Sequence, residues 1–419
     1  MDKKKTSESA PRRNRTICLP FSRETWDVAA GDTLQFRLRI DEMIAEHPEL
    51  FPPGTECGWR TKDSYISKKQ GIKIRRIEIG GVSHTVRPSF VMPYMTGMTD
   101  EAEKALFLRK FSVPFWGLAY VFGRDPMYWQ RMEQSLGRNS IVGTTVRDAG
   151  KLPKHLLADE KHTSVQGEKS YVAVTAAEEC ILGASVADSA GEDSLKEAYG
   201  TYKEEARNIA PDYSPETVST DGWKATMNAW KSLFPSVTLI LCFLHTFIGI
   251  RDRAKKKFGE IYDEVVSKLW DCYRAVTRAS FSQRVRRFSE WAEKASLPSV
   301  IADKIAKMRE NIAAFATAYA FPGAHRTSNM LDRLMRMMDR HLFNTQYFHG
   351  FIPSAELSVR GWALIFNFTP SNPYTVKKYD GLQSRAERFN GFRYHENWLH
   401  NLLISASLGG FGEPPLNPL

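Results

Sequence analysis

The chain has 419 residues, 42% hydrophobic and 25% charged, enough apolar material for a large core and too much for a disordered polyelectrolyte. A net charge of +10 points to a polyanionic partner, nucleic acid before an anionic membrane. The longest apolar run, VTLILCFLHTFIGI (237–250), is too short to span a bilayer, and five scattered cysteines with no Cys-x-x-Cys pair argue against a disulfide framework and for a reducing compartment.

Residues 1–15, MDKKKTSESAPRRNR, have no apolar stretch behind their charges. They read as a disordered basic arm rather than a secretory signal, and a nuclear signal has the same look. Residues 16–105 form a mixed α/β region, in which SKKQGIKIRRIEIGGVSHTVRP alternates like strands around a Gly-Gly turn. In 106–150, apolar residues at helical spacing fill 114–121, FGRDP breaks the pattern, and MYWQRMEQSLG resumes it. Helix, short glycine-containing turn, helix is the helix-turn-helix pattern, with Arg124, Gln130, Arg131 and Gln134 placed to meet base edges or phosphates.

From 151 the periodicity changes. HLLADEKHTSV, KSYVAVTAA and CILGASVADSA read as three strands, SLKEAYGTYKEEARNI as an amphipathic helix, ETVSTDG as a short strand and WKATMNAWKSLF as a helix. SVTLILCFLH then reads as an apolar strand of the kind buried on both faces of a sheet, with Leu239 to Leu241 in the core. Three antiparallel strands followed by αβαβ is the RNase H-like layout, here spanning 151–245. Residues 246–320 follow as a basic α-helical insertion, with Arg251, Lys255, Lys256 and Lys257 near its start. FPGAHRTSN breaks the chain, and MLDRLMRMMDRHLF begins a helix within 321–345. The C-terminal region, 346–419, carries Lys377, Lys378, Arg385 and Arg388 in an expected loop, then a helix over HENWLHNLLISASL. The fold class expected is thus α/β with mixed sheets, multidomain, with a helical DNA-binding region ahead of the RNase H-like core.

Carboxylates at strand ends suggest hard-metal chemistry. Nucleotidyl transfer needs positive charge at the attacking and leaving oxygens, which two Mg²⁺ ions roughly 3.5–4 Å apart supply when acids from separate elements hold them. Asp159 is expected to end the first strand of the core and Asp221 the fourth, side by side in the sheet. Asp332 is expected in the first turn of the helix after the insertion, behind a cap at Thr327, Ser328 or Asn329, free for metal or paired with Arg336. Asp339, one heptad on, is its rival, and Glu160 reads as solvated. Cys242 and His245 lack the further ligands a structural zinc site requires.

Taken together, Asp221-Gly222-Trp223, the helix ending Phe234-Pro235, the apolar strand ending Cys242-x-x-His245, the helical insertion and TSN ahead of an acid resemble the DDE/D transposases of the Mutator, hAT and P-element-like superfamily. The resemblance covers roughly 151–345. It implies strand cleavage and transfer at the terminal inverted repeats of a mobile element, dependent on two Mg²⁺ ions (or Mn²⁺ in their place), by a homodimer or larger multimer on double-stranded and target DNA. It makes Asp159, Asp221 and Asp332 the catalytic metal ligands, and Cys242 with His245 the signature pair. The third acid of that superfamily is usually Glu, and Asp332 is shorter. The implied compartment is a prokaryotic cytoplasm or nucleoid, or a eukaryotic nucleus, with no membrane contact. Two other readings compete: a transposase-derived DNA-binding regulator that does not cut, and an RNase H-like nuclease that hydrolyses only.

Overall fold

The computed structural model describes residues 15–254 and 259–411, so the basic arm, apart from Arg15, and Lys255, Lys256 and Lys257 lie outside the described residues. The chain begins with β1 (Thr16–Leu19), α1 (Arg23–Gly31), α2 (Thr33–Glu46), β2 (Trp59–Ile66), β3 (Lys73–Ile79) and β4 (Val82–Pro88). It continues through α3 (Thr99–Arg109), α4 (Phe115–Phe122), α5 (Pro126–Leu136) and α6 (Ile141–Thr145). Next come β5 (His155–Val165), β6 (Glu168–Ala177), β7 (Cys180–Ala187), α7 (Glu192–Ile209), β8 (Thr217–Thr220), α8 (Lys224–Leu233) and β9 (Thr238–Leu241). Five helices follow, α9 (Phe243–Ala254), α10 (Gly259–Tyr273), α11 (Arg278–Lys294), α12 (Ser299–Glu310) and α13 (Ile312–Ala316). The last elements are α14 (Asn329–Asn344), α15 (Ile352–Phe368), α16 (Pro373–Lys378), α17 (Arg385–Asn390) and α18 (Trp398–Ser405). The fold is mixed α/β with two mixed sheets, and no described helix is long and apolar enough to cross a membrane.

The larger sheet has the order β7-β6-β5-β8-β9. β5, β6 and β7 are antiparallel neighbours, whereas β8 and β9 run parallel to β5. Period-two alternation splits β5 between the two faces. Leu156 and Ala158 join the core under α7 and α8, built around Tyr199, Tyr202 and Trp230. Leu157 and Val165 join the opposite core, with Leu331 and Met335 of α14 and Val359 and Trp362 of α15. β9 departs from the expected strand buried on both faces. It is the sheet edge, paired only with β8, and Leu239 and Leu241 are half-buried while Ile240 is closed off.

The expected division into separate regions also changes. One continuous core joins the smaller sheet (order β1-β4-β3-β2), α3 to α5, one face of the larger sheet, α14, α15 and α18. The helices after β9 have a core of their own, around Val265, Phe281, Val285 and Ile301, and so does the sheet face under α7 and α8. α4 and α5 form as expected: Asp125 caps α5 by accepting from the Met127 N–H at 2.7 Å, and Pro126 occupies the first turn. α5 is nevertheless not a free recognition helix. It buries Trp129, Met132, Glu133 and Leu136, and Gln134 is spent inside the protein, donating to Ser354 Oγ at 2.9 Å and Ser358 Oγ at 3.0 Å of α15.

Glycine sets how closely α5 and α15 approach. A Cβ on Gly361 would stand 2.2 Å from the Glu133 carbonyl oxygen, and one on Gly137 2.0 Å from that of Leu357. Both contacts are with backbone, which cannot swing aside. Gly361→Ala is expected to lower stability by about 3 kcal/mol, read from the urea midpoint.

The C-terminal basic residues are divided by the same packing. The expected loop is instead α16 and α17, and Lys377 and Lys378 remain exposed at the end of α16. Arg385 is turned inward over the Phe366 ring, 4.0 Å from its centroid, and Arg388 pairs with Glu179 at 3.2 Å. These two arginines are engaged within the fold.

Candidate functional site

Parallel pairing brings the acids level. Leu157 lies opposite Ser219, so two residues further along both strands Asp159 comes level with Asp221. The same rows pair Thr220 with Leu241, which puts Cys242 next in line. Asp159 does not end its strand as expected. β5 continues to Val165 because β6 stays paired with it to Glu168, and only the parallel neighbour β8 stops at Thr220. Asp159 therefore sits where β5 loses one partner, with its side chain 18% exposed.

Asp221 follows β8 in a tight turn. Its Oδ1 accepts from the Trp223 N–H at 2.7 Å, and Gly222 between them has φ +93°. A Cβ there would be strained and would meet Leu241 Cδ2 at 3.0 Å, so this turn requires glycine. His245 stands in the first turn of α9 with Nε2 3.9 Å from Asp159 Oδ2. One ligand atom each from Asp159, Asp221 and His245 lie within 4.8 Å of one another. These three groups, brought together by β5, the β8 turn and α9, are close enough to share one metal ion.

Asp332 stands apart from that set. It is on the first turn of α14, near enough to feel the His245 charge. The pairing with Arg336 does not form. Instead Asp332 Oδ2 accepts from Ser328 Oγ at 3.2 Å, and Arg336 acts only at longer range. Ser328 in turn binds Cys242, with its N–H donating to Sγ at 3.1 Å and the sulfur and Oγ 3.2 Å apart. Cys242 is thereby a clasp between the end of β9 and the start of α14. Asp339 is engaged elsewhere, paired with Lys161 at 2.7 Å.

The electrostatics follow from crowding acids around one imidazole. Burial pushes Asp159 up to about 6, with Asp221 and Asp332 adding to the rise and His245 opposing it. Burial also raises Asp332 above its ordinary value, against the pull of His245, Ser328 and Arg336. For His245, burial works against protonation, yet the Cys242 sulfur beside it and the two aspartates outweigh it and hold the ring up to about 9. For Cys242, burial would raise the thiol, but His245 and Ser328 prevail and bring it below its usual value.

Glu160 is not solvated as expected. It faces the other side of the sheet, and its Oε1 accepts from Tyr199 and Thr226 hydroxyls, both at 2.6 Å. Burial raises it to about 7 from an ordinary 4.5, against those two hydrogen bonds. A raised carboxyl stabilises the fold fully below about 4.5 and loses that contribution as pH rises through about 7. Glu160→Gln is expected to flatten a stability decline of roughly 3 kcal/mol across that window, measured by urea midpoints from about pH 5 to pH 8.

Beside the centre runs a groove of about 670 Å³ between α9 and α14, lined among others by Lys161, Phe247, Arg251, Asp332, Arg333 and Arg336. Of the residues expected to contact DNA, Arg251 is in this groove, where it also pairs with Asp252 at 2.8 Å. Arg131 is exposed in a separate groove near Lys69 and Arg138, Gln130 is half-buried, and Arg124 lies 3.9 Å from Glu101. Ser328 was expected only as a cap and Arg336 only as a partner of Asp332, while Lys161 and Arg333 were not anticipated. The signal for Arg333 and Arg336 is the basic helix that follows TSN, and Lys161 on β5 had none. No family model matches the chain, and no curated protein is similar to it in sequence.

Proposed function

We propose that this chain is a metal-dependent nucleotidyl transferase with an RNase H-like core, a transposase of the DDE/D kind acting on double-stranded DNA. The observation that carries the reading is the level placement of Asp159 and Asp221 on adjacent parallel strands, with His245 in the same cluster. The sheet order, the helical insertion after β9 and a third acid on α14 agree with it. The donor set suits a divalent ion: two carboxylates and an imidazole converge on one point, and Asp159 is raised chiefly by burial, with the Asp221 charge adding to the rise.

Asp159 and Asp221 would hold the metal, with Asp332 approaching from α14. Bound there, divalent ions supply Lewis acidity to the attacking and leaving oxygens. Lys161, Arg251, Arg333 and Arg336 hold backbone phosphates along the groove, which sets affinity and salt dependence rather than sequence choice. With α5 packed into the core, terminal repeats are read elsewhere than by Gln134. Assembly as a multimer on the repeats belongs to the same proposal.

One observation favours a second reading, a DNA-binding protein that no longer cuts: Asp332 is outside the metal-ligand set. Incubation with Mg²⁺ or Mn²⁺ and labelled DNA from the ends of the encoding locus separates the possibilities. Strand joining is the expected result. Hydrolysis without joining would make the protein a nuclease, and binding without cleavage a regulator.

A further inference from the structure

His245 is the residue that the carboxylate-triad chemistry leaves without work. Its side chain is 27% exposed. Nδ1 is buried without a hydrogen-bond partner, and Nε2 at 3.9 Å from Asp159 is beyond hydrogen-bond range. Asp332, the acid that should complete the triad, is held by Ser328 outside the cluster.

Resting on the reading above, we infer that His245 Nε2, releasing its proton to solvent as the ion binds, is the third metal ligand rather than Asp332, and that the centre takes a first-row transition ion in preference to Mg²⁺. Three arguments carry this. The first is spacing. Around an ion with bonds of about 2.1 Å, ligand atoms stand roughly 3 Å apart when adjacent and about 4 Å when opposite. Asp159, Asp221 and His245 already lie within 4.8 Å, so small side-chain rotations close the set. The second is anchoring. The ring stands in the first turn of α9, directly after Cys242, whose sulfur is fixed to Ser328, so the backbone that carries His245 is held at both β9 and α14. The third is ligand chemistry. Mg²⁺ is hard and is served by oxygen, whereas an imidazole nitrogen adds affinity for transition ions and little for Mg²⁺. An aspartate at 332, one methylene shorter than glutamate, is compatible with a centre whose third ligand comes from α9.

The test uses Mn²⁺ as the probe and Mg²⁺ as competitor on the full chain. Electron spin-echo modulation of bound Mn²⁺ is expected to show the ¹⁴N coupling of a directly bound imidazole, absent in His245→Ala. That variant is expected to lose Mn²⁺ affinity at least about tenfold, the loss that removing even a ligand's supporting hydrogen bond produces. Its Mg²⁺ affinity should change less than about threefold, because nitrogen contributes little to that ion. Asp332→Ala should lose less Mn²⁺ affinity than His245→Ala. Should His245→Ala melt differently from the native chain, His245→Asn supplies the same comparison with a polar side chain. Absence of ¹⁴N coupling in the native chain, an unchanged Mn²⁺/Mg²⁺ ratio in the His245 variants, or a larger loss in Asp332→Ala would each overturn the inference. Asp159→Asn and Asp221→Asn keep the two readings apart. Loss of both ions there with an unaffected His245 variant removes only this inference, while full retention removes the metal-dependent function itself.

Discussion

Asp221→Asn is expected to lower strand cleavage on the order of a thousandfold while leaving the melting temperature nearly unchanged. The two effects separate because the side chain has two unrelated roles. Asp221 is exposed, and its hydrogen bond within the protein is the turn to the Trp223 N–H, which an asparagine oxygen also accepts. What asparagine cannot supply is the negative charge that the proposed divalent ion requires. Lewis-acid stabilisation is worth several kcal/mol, and about 4 kcal/mol corresponds to a thousandfold in rate. Asp159→Asn should be equally inactive yet more stable at pH 8. Burial raises Asp159 to about 6, so its contribution to stability is present in acid and lost as pH rises through that value. At pH 8 the native chain bears the cost of the buried charge, and the asparagine variant does not. An active Asp221→Asn, or an Asp159→Asn that is less stable at pH 8, would contradict the account.

What the sequence disclosed and what it hid divide along one physical line. Period-two patterning from His155 to Ala187, the amphipathic α7 and α8, and the apolar run before Cys242 were enough to order the core strands. The Asp-Gly pair at 221–222 is a further local feature, since Gly222 adopts φ +93°. These are local signals, decided within a few residues. The misread positions depend on partners far along the chain. Glu160 is buried because Tyr199 and Thr226 meet it, and neither is near it in sequence. Alternation alone, however, would have placed it on the face opposite Asp159. Gln134 looks free until α15 arrives to bind it, and Arg388 until Glu179 does. HLLADEKHTSV reads as one strand, as β5 is, but Asp159 is expected at a strand end, although Lys161 to Val165 contains no glycine or proline to stop it. The clasp of Cys242 and Ser328 joins residues that no spacing rule connects, and it gives the Cys-x-x-His segment a structural role on α14.

Glu133→Ala is expected to destabilise the protein by about 3–5 kcal/mol, the range for stripping one partner from a buried ion pair. Glu133 and Arg109 are 1% and 0% exposed, and their Oε2 and Nε are 2.6 Å apart. Arg109 also donates to the Val113 carbonyl at 2.5 Å and lies 4.0 Å from the centre of the Phe115 ring. On its other side, its terminal nitrogen is 3.3 Å from His341 Nδ1 on α14. Burial and the Arg109 charge keep that histidine well below its ordinary value, hence neutral, stacked on Trp362 with ring centres 5.0 Å apart. Removing Glu133 leaves the guanidinium in an apolar enclosure with a neutral ring and one carbonyl for company. The pair itself need not be favourable: a double replacement, Arg109→Met with Glu133→Leu, should recover most of the loss in urea unfolding. The position of the network gives the prediction its functional side. It joins α3, α5 and α15 to α14, which carries Asp332, whereas Asp159, Asp221 and His245 stand on β5, the β8 turn and α9. Loosening α14 should therefore disturb Asp332 and the groove first. Below its lowered melting point, Glu133→Ala should keep Mn²⁺ affinity near the native value while losing cleavage, whereas a parallel loss of both would show that α14 supports the metal set directly.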